Sequence, residues 1–121
     1  MDRNHPHVVL IVEDDQLLQL LTTDILEDAG FTVIHAENAD QAVAILEVRF
    51  DIGILLTDIN MPGSMDGLKL AHAVRDRWPP IKIIIVSSRA PESGLPAESR
   101  FLSKPYQSAV LISEIWALVD S

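Results

Sequence analysis

Apolar runs in this chain repeatedly end in a side chain that can handle a phosphoryl group. One run ends at Glu13 and Asp14, the next at Asp58, the next at Ser87 and the last at Lys104. Three carboxylates brought together repel, and at least one of their pKa values rises unless a cation joins them. Mg²⁺ is a fitting cation, because it takes oxygen ligands and typically uses one or two carboxylates together with a phosphate. Lys104 adds a positive charge that can pair with Asp58 or with a phosphoryl oxygen, and Ser87 adds a hydroxyl donor. A phosphoryl group in transit needs positioning and charge neutralisation more than covalent help, so the set suits magnesium-assisted phosphoryl transfer with Asp58 as acceptor. Taken singly, each residue has a plainer reading. Asp58 could cap a helix, Ser87 could close a turn and Lys104 could be a solvated surface lysine. The run Glu13-Asp14-Asp15 could decorate a helix N-terminus, which is the reading adopted for Asp15. What sets the group apart is that its members share one position, at the carboxyl ends of apolar runs.

That position requires strands. Candidates are Val8–Val12, Phe31–His35, Ile52–Thr57, Ile81–Val86 and Arg100–Ser103. The central ones are near-continuous hydrophobics, as expected of parallel strands covered by helices on both faces. Between them lie amphipathic stretches. Gln16–Ala29 carries Leu17, Leu21, Ile25 and Ala29 at helical spacing and stops at Gly30. A second helix starts after Asn38 as N-cap and turns Ala42, Val43 and Leu46 inward. A third runs from about Gly67 to Trp78, where Pro79-Pro80 ends it, and a last one spans Gln107–Asp120. Alternating strands and helices predict an α/β domain with one doubly wound parallel layer. In such sheets ligands bind beyond the carboxyl ends of the strands, where the candidate residues fall. Pro91, Gly94 and Pro96 crowd the segment Arg89–Ser99, so a helix there should be short or irregular.

The bulk numbers narrow the function. A length of 121 residues predicts one domain over residues 1–121. The net charge of −9 argues against nucleic acid and anionic membrane as partners. No apolar run approaches the ~20 residues needed to cross a bilayer. The absence of cysteine rules out disulfides and thiolate metal sites and agrees with a cytoplasmic location. Four histidines, His5, His7, His35 and His72, show no metal spacing, and Trp78 reads as a capping hydrophobe.

The chain resembles the response regulator receiver domains of the CheY-like type over nearly its whole length. The segments that carry the likeness are Leu10-Ile11-Val12-Glu13-Asp14-Asp15, Leu56-Thr57-Asp58-Ile59-Asn60-Met61-Pro62, Met65-Asp66-Gly67, Ile85-Val86-Ser87-Ser88 and Phe101-Leu102-Ser103-Lys104-Pro105. The resemblance implies a flavodoxin-like sheet of order 2-1-3-4-5 in a single-domain phosphoprotein of a two-component phosphorelay. It implies that Asp58 takes a phosphoryl group from a histidine kinase or a histidine phosphotransfer protein. Glu13, Asp14 and Asp58 would then hold Mg²⁺, helped by the backbone carbonyl of Asn60, while Ser87 and Lys104 contact the phosphoryl oxygens. The peptide before Pro105 would be cis. Ser87 and Phe101 would form the switch that signals to a downstream protein. Asn60 and Arg89 would tune the phosphate lifetime in opposite directions, one orienting water and the other shielding the phosphoryl group. The chain would promote only its own phosphorylation and dephosphorylation, without being an enzyme for an external substrate.

It departs from the family pattern in two places. The loop after Asp58 is one residue longer, at Pro62-Gly63-Ser64-Met65, and the interval from Ser87 to Lys104 is several residues shorter, which removes the basis for assuming the usual dimer face. In the last helix Leu111, Ile112, Ile115, Trp116, Leu118 and Val119 cover a wide arc, read either as close packing or as a partner-binding edge. Two rival functions remain open: a phosphorylation-independent docking module of the same fold, and a small hydrolase with an aspartyl nucleophile.

Overall fold

The computed structural model describes residues 7–61, 65–91 and 94–120. The apolar runs form strands β1 (Val8–Val12), β2 (Thr32–Ala36), β3 (Ile52–Asp58), β4 (Lys82–Ser87) and β5 (Ser99–Ser103). They pair in parallel in the order β2-β1-β3-β4-β5, the flavodoxin-like arrangement. The helices are α1 (Gln16–Asp28), α2 (Ala39–Val48), α3 (Gly67–Arg77) and α4 (Ser108–Val119).

Alternation along the strands divides the core between the two faces of the sheet. Leu10 and Val12 of β1, Leu55 of β3, and Ile83 and Ile85 of β4 pack with α2 and α3. Val9, Ile11, Ile54, Leu56, Ile84 and Val86 pack with α1 and α4. The β1–β3 register shifts between Val8 and Val9, so Ile52 and Ile54 join opposite faces around Gly53. One inserted residue re-aims everything after it.

Local chemistry fixes the helix ends. Asp15 caps α1, its carboxylate accepting the N–H groups of Leu17 and Leu18 at 2.9 and 3.2 Å. Asn38 and Asp66 cap α2 and α3 in the same way, accepting from Gln41 and Lys69. Helix α1 ends in a Schellman motif: Gly30, at φ 98°, donates to Glu27, and Phe31 donates back to Leu26. Phe31 and Leu26 are then buried in one cluster.

Two features differ from the sequence reading. Leu17 and Leu21 lie outward, 64% and 49% exposed, while Thr22, Thr23 and Leu26 face the sheet. The helical period located α1 correctly, but the buried face includes hydroxyls that find partners: Thr22 meets Tyr106, and Thr23 donates to the Gln19 carbonyl.

The second difference lies between β4 and β5, where a short or irregular helix was expected. The described residues there hold no helix. Instead a strap runs back along α3. His72 donates to the Gly94 carbonyl at 2.9 Å. The Arg75 guanidinium reaches the Ala97 carbonyl at 2.8 Å and the Pro79 and Ile81 carbonyls at 2.6 and 3.1 Å. Leu95 packs on the core below. Side-chain donors on α3 thus satisfy carbonyls that helical backbone bonds would otherwise have taken up.

On α4 the wide apolar arc is spent on packing. Leu111, Ile115, Leu118 and Val119 are buried, and Ile112 and Trp116 lie against them. Trp116 also stacks near Phe31, with ring centroids 4.9 Å apart. Among the described residues, no helix is long and apolar enough to cross a membrane.

Candidate functional site

Beyond the carboxyl ends of the central strands, backbone bonds hold each tip in place. Glu13, one residue past β1, donates its N–H to the Ala36 carbonyl at 3.0 Å. Asp58 closes β3 opposite Val86, and the next N–H, of Ile59, bonds the Val86 carbonyl at 3.1 Å. Lys104, one residue past β5, donates its N–H to Ser87 O at 2.8 Å. The ladder therefore continues past the formal strand ends and sets four side chains around one crevice, between β1 and β3 where the strand order reverses.

The geometry within is that of a charge cluster. Oxygens of Glu13, Asp14 and Asp58 all lie within 4.8 Å of one another. The Lys104 ammonium bridges two of them, 2.7 Å from Asp58 Oδ2 and 3.1 Å from Glu13 Oε1. The second oxygen of Glu13 accepts the Asp15 N–H at 3.1 Å, and Asp58 Oδ1 is approached by the Asn60 N–H at 3.4 Å. Glu13 is 7% exposed. Burial pushes its carboxyl above the ordinary value of 4.5, against the opposing pull of the Asp15 N–H and of Lys104. Burial works the other way on Lys104. Its hydrogen bonds to Asp58 and Glu13 prevail, holding the ammonium above 10.5.

The donor set fits a hard divalent cation. One ammonium against three carboxylates leaves a deficit of two positive charges, and every candidate ligand is an oxygen. Among the described residues this is the group of three metal-ligating side chains that converges, and no histidine takes part.

The remaining expected residues ring the crevice. Ser87 is 2% exposed, and its Oγ accepts the Arg89 N–H at 3.3 Å. Asn60, Asp66, Ser87 and Arg89 line a cavity of about 270 Å³ on the α3 side. The two proposed lifetime-tuning positions, Asn60 and Arg89, therefore share one space. Phe101, on β5, is half-buried against the α2–α3 core rather than beside the carboxylates. The Lys104–Pro105 peptide is cis. Of the extra loop position, Pro62, Gly63 and Ser64 lie outside the described residues.

Two residues matter here beyond their place in a motif. Gly67 opens α3 directly against the end of β3. A Cβ on it would collide with the backbone carbonyl of Asp58 and come within 2.9 Å of Thr57 Oγ1. Its own N–H bonds the Ile59 carbonyl at 2.8 Å. The sequence held a sign of this in Met65-Asp66-Gly67, where glycine follows a helix cap. Tyr106, whose hydroxyl meets Thr22 at 3.0 Å, carried no sign at all.

Comparison with known proteins agrees with this geometry. The family model described as "Response regulator receiver domain" matches residues 9–115. Among curated proteins, the response regulator receiver protein CpdR of Brucella abortus is 35% identical over 112 residues, covering 88% of this chain and 92% of that one. A response regulator receiver protein from Sinorhizobium medicae superposes with a TM-score of 0.88 at 29% identity, over 98% of both chains. The Thermotoga maritima response regulator TrrA, solved with Mg²⁺ and beryllofluoride, shares the fold at a TM-score of 0.84 and 23% identity, over 93% of this chain and 98% of that one.

Proposed function

The chain belongs to the response regulator receiver family, and on that premise we propose that it accepts a phosphoryl group on Asp58 from a histidine kinase or a histidine phosphotransfer protein. The observation that carries the proposal is the Lys104 ammonium bridging Asp58 and Glu13 at the crevice. An Asp58 oxygen attacks the phosphorus, the bond from phosphorus to the donor imidazole nitrogen breaks, and the imidazole leaves with the electron pair. Lys104 lies 2.7 Å from Asp58, where it can follow charge onto the phosphoryl oxygens. Ser87 offers its hydroxyl proton to another oxygen, a donor role left open while its Oγ accepts the Arg89 N–H. Glu13, Asp14 and Asp58 would hold Mg²⁺, with Asn60 contributing its carbonyl. When bound, the ion supplies charge neutralisation for the phosphoryl oxygens.

A protein donor suits the surface beside the crevice. Helix α1 starts at the site and exposes Leu17, Leu18, Leu20 and Leu21, at 64%, 38%, 58% and 49%. The signal then passes to a downstream protein by a shift between two packings around Ser87 and Phe101. The reaction is confined to the chain's own Asp58, and its setting is the cytoplasm. The complete set of site residues gives the docking-module and hydrolase readings no observation of their own.

Millimolar Mg²⁺ should raise the melting temperature of the wild type, since the ion binds the folded cluster and not the unfolded chain. At a hundredfold excess over Kd the gain is about 2.7 kcal/mol. Beryllofluoride added with Mg²⁺ should raise it further, and Asp58→Asn should abolish that second increment. The Mg²⁺ effect should also fade on acidification. Glu13 in the folded state holds its proton more tightly than an ordinary glutamate, because burial disfavours its charged form, so protons compete with the metal for this ligand as pH falls, and more so at low Mg²⁺. Differential scanning fluorimetry across pH checks both points. A wild type indifferent to Mg²⁺ at every pH would remove the metal assignment.

A further inference from the structure

Helix α1 is tied to the crevice at two points of one face. Gln19 Nε2 donates to the Glu13 carbonyl at 3.2 Å. One turn on, Thr22 Oγ1 meets the Tyr106 hydroxyl at 3.0 Å, and positions three apart on a helix are surface neighbours. Tyr106 stands two residues after Lys104, and the Lys104 ammonium is itself 3.1 Å from Glu13. The contacts close a ring: α1 to Glu13, Glu13 to Lys104, Lys104 through Pro105 to Tyr106, and Tyr106 to Thr22 back on α1.

Beside this ring lies a cavity of about 10 Å³. Glu13, Thr22, Asp58 and Tyr106 line it, along with aliphatic side chains of the central strands. A space of that size is about that of one water. Two paired hydroxyls use one proton between them and leave the other to be donated elsewhere. Packing alone does not call for this hydroxyl. Phenylalanine would fill the same volume against the α1–α4 core, where the Tyr106 ring lies.

We propose that Tyr106, held by Thr22, is a positioning residue for phosphoryl transfer: the hydroxyl pair fixes the Lys104–Pro105 corner so that the ammonium stays between Asp58 and Glu13. Neither hydroxyl touches the transferred group. The inference rests on the receiver reading of the site.

The test compares wild type with Tyr106→Phe, Thr22→Val, Thr22→Ser and the double variant Tyr106→Phe/Thr22→Val. Initial rates of labelling by acetyl phosphate are followed by intact mass over a range of Mg²⁺. Each variant lacking one hydroxyl should label about fivefold more slowly at saturating Mg²⁺. Its half-saturating Mg²⁺ concentration should match wild type, because the metal ligands are intact. The double variant should be no slower than the singles, as for two halves of one interaction. Thr22→Ser, which keeps the hydroxyl, should label at the wild-type rate. Wild-type rates in both single variants, even with lowered melting temperatures, would reduce Tyr106 to a packing residue and overturn the proposal. So would losses that multiply in the double variant. A wild type that takes no label overturns the receiver reading itself, and this inference falls with it.

Discussion

Gly67→Ala lowers the melting temperature by about 10 °C and abolishes phosphoryl incorporation at Asp58. The added Cβ has nowhere to go, because the atom in its way is the backbone carbonyl of Asp58. That carbonyl belongs to the last residue of β3, pinned through the pairing of Asp58 with Val86. Either α3 retreats from the sheet, exposing Leu68, Leu70 and Ala71, or Asp58 itself is displaced. Overpacking of this kind costs about 3 kcal/mol when the neighbour cannot yield. The structure supplies its own control. Nothing lies within 4 Å of a Cβ built on Gly53, where φ is unexceptional. Gly53→Ala should stay within about 0.5 kcal/mol of wild type and label normally. Thermal melts and intact-mass labelling of the two variants decide the point. Equal behaviour would mean that α3 is not seated on Asp58 as described.

Lys104→Met separates the two roles of the ammonium. The methionine retains most of the aliphatic stem, so packing changes little. Loss of the charge leaves Asp58 and Glu13 facing each other with Asp14 nearby. Labelling by acetyl phosphate should fall about a hundredfold, since a preorganised cation next to the transferred group is gone. Without metal the fold should lose about 1–3 kcal/mol. That is below the range for fully buried pairs because the Lys104 side chain is 20% exposed. Mg²⁺ should then bind about tenfold more tightly, because a competing positive charge has left the cluster. The alkaline limb differs too. The ammonium's contribution is complete below the unfolded-state pKa and is lost as pH rises through its elevated folded value, above 10.5. Lys104→Met should lack that loss. Weaker Mg²⁺ binding in this variant would show that Lys104 supports the metal site instead of sharing its negative charge.

How far the sequence could be read depended on the kind of information each element needed. Parallel strands buried on both faces must be apolar throughout, so β1, β3 and β4 stood out, and with them the polar residues at their ends. Caps and stops are equally local, which is why Asp15, Asn38 and Gly30 were legible. The inward face of α1 was not. Its buried positions include Thr22 and Thr23, which look solvent-facing until Tyr106 and the Gln19 carbonyl satisfy them. Its leucines look like core and are exposed. The segment between β4 and β5 was legible only as a short or irregular helix, because the anchors that make it a strap, His72 and Arg75, lie 22 residues before the Gly94 and Ala97 carbonyls they bind there. Glycine at position 67 was visible, but the carbonyl it must clear was not. The acidic cluster could be assembled in advance, since strand ends place residues by topology alone. The Lys104 bridge to Glu13, spanning 91 residues, needed the fold.

The central claim, that Asp58 accepts a phosphoryl group with the help of Mg²⁺, is tested most directly by exposing wild type and Asp58→Asn to acetyl phosphate, with and without Mg²⁺, and weighing the intact chains. One added phosphoryl group on wild type with Mg²⁺, and none in the other three samples, is the expected result. Incorporation into Asp58→Asn, or incorporation into wild type that ignores Mg²⁺, would contradict the account.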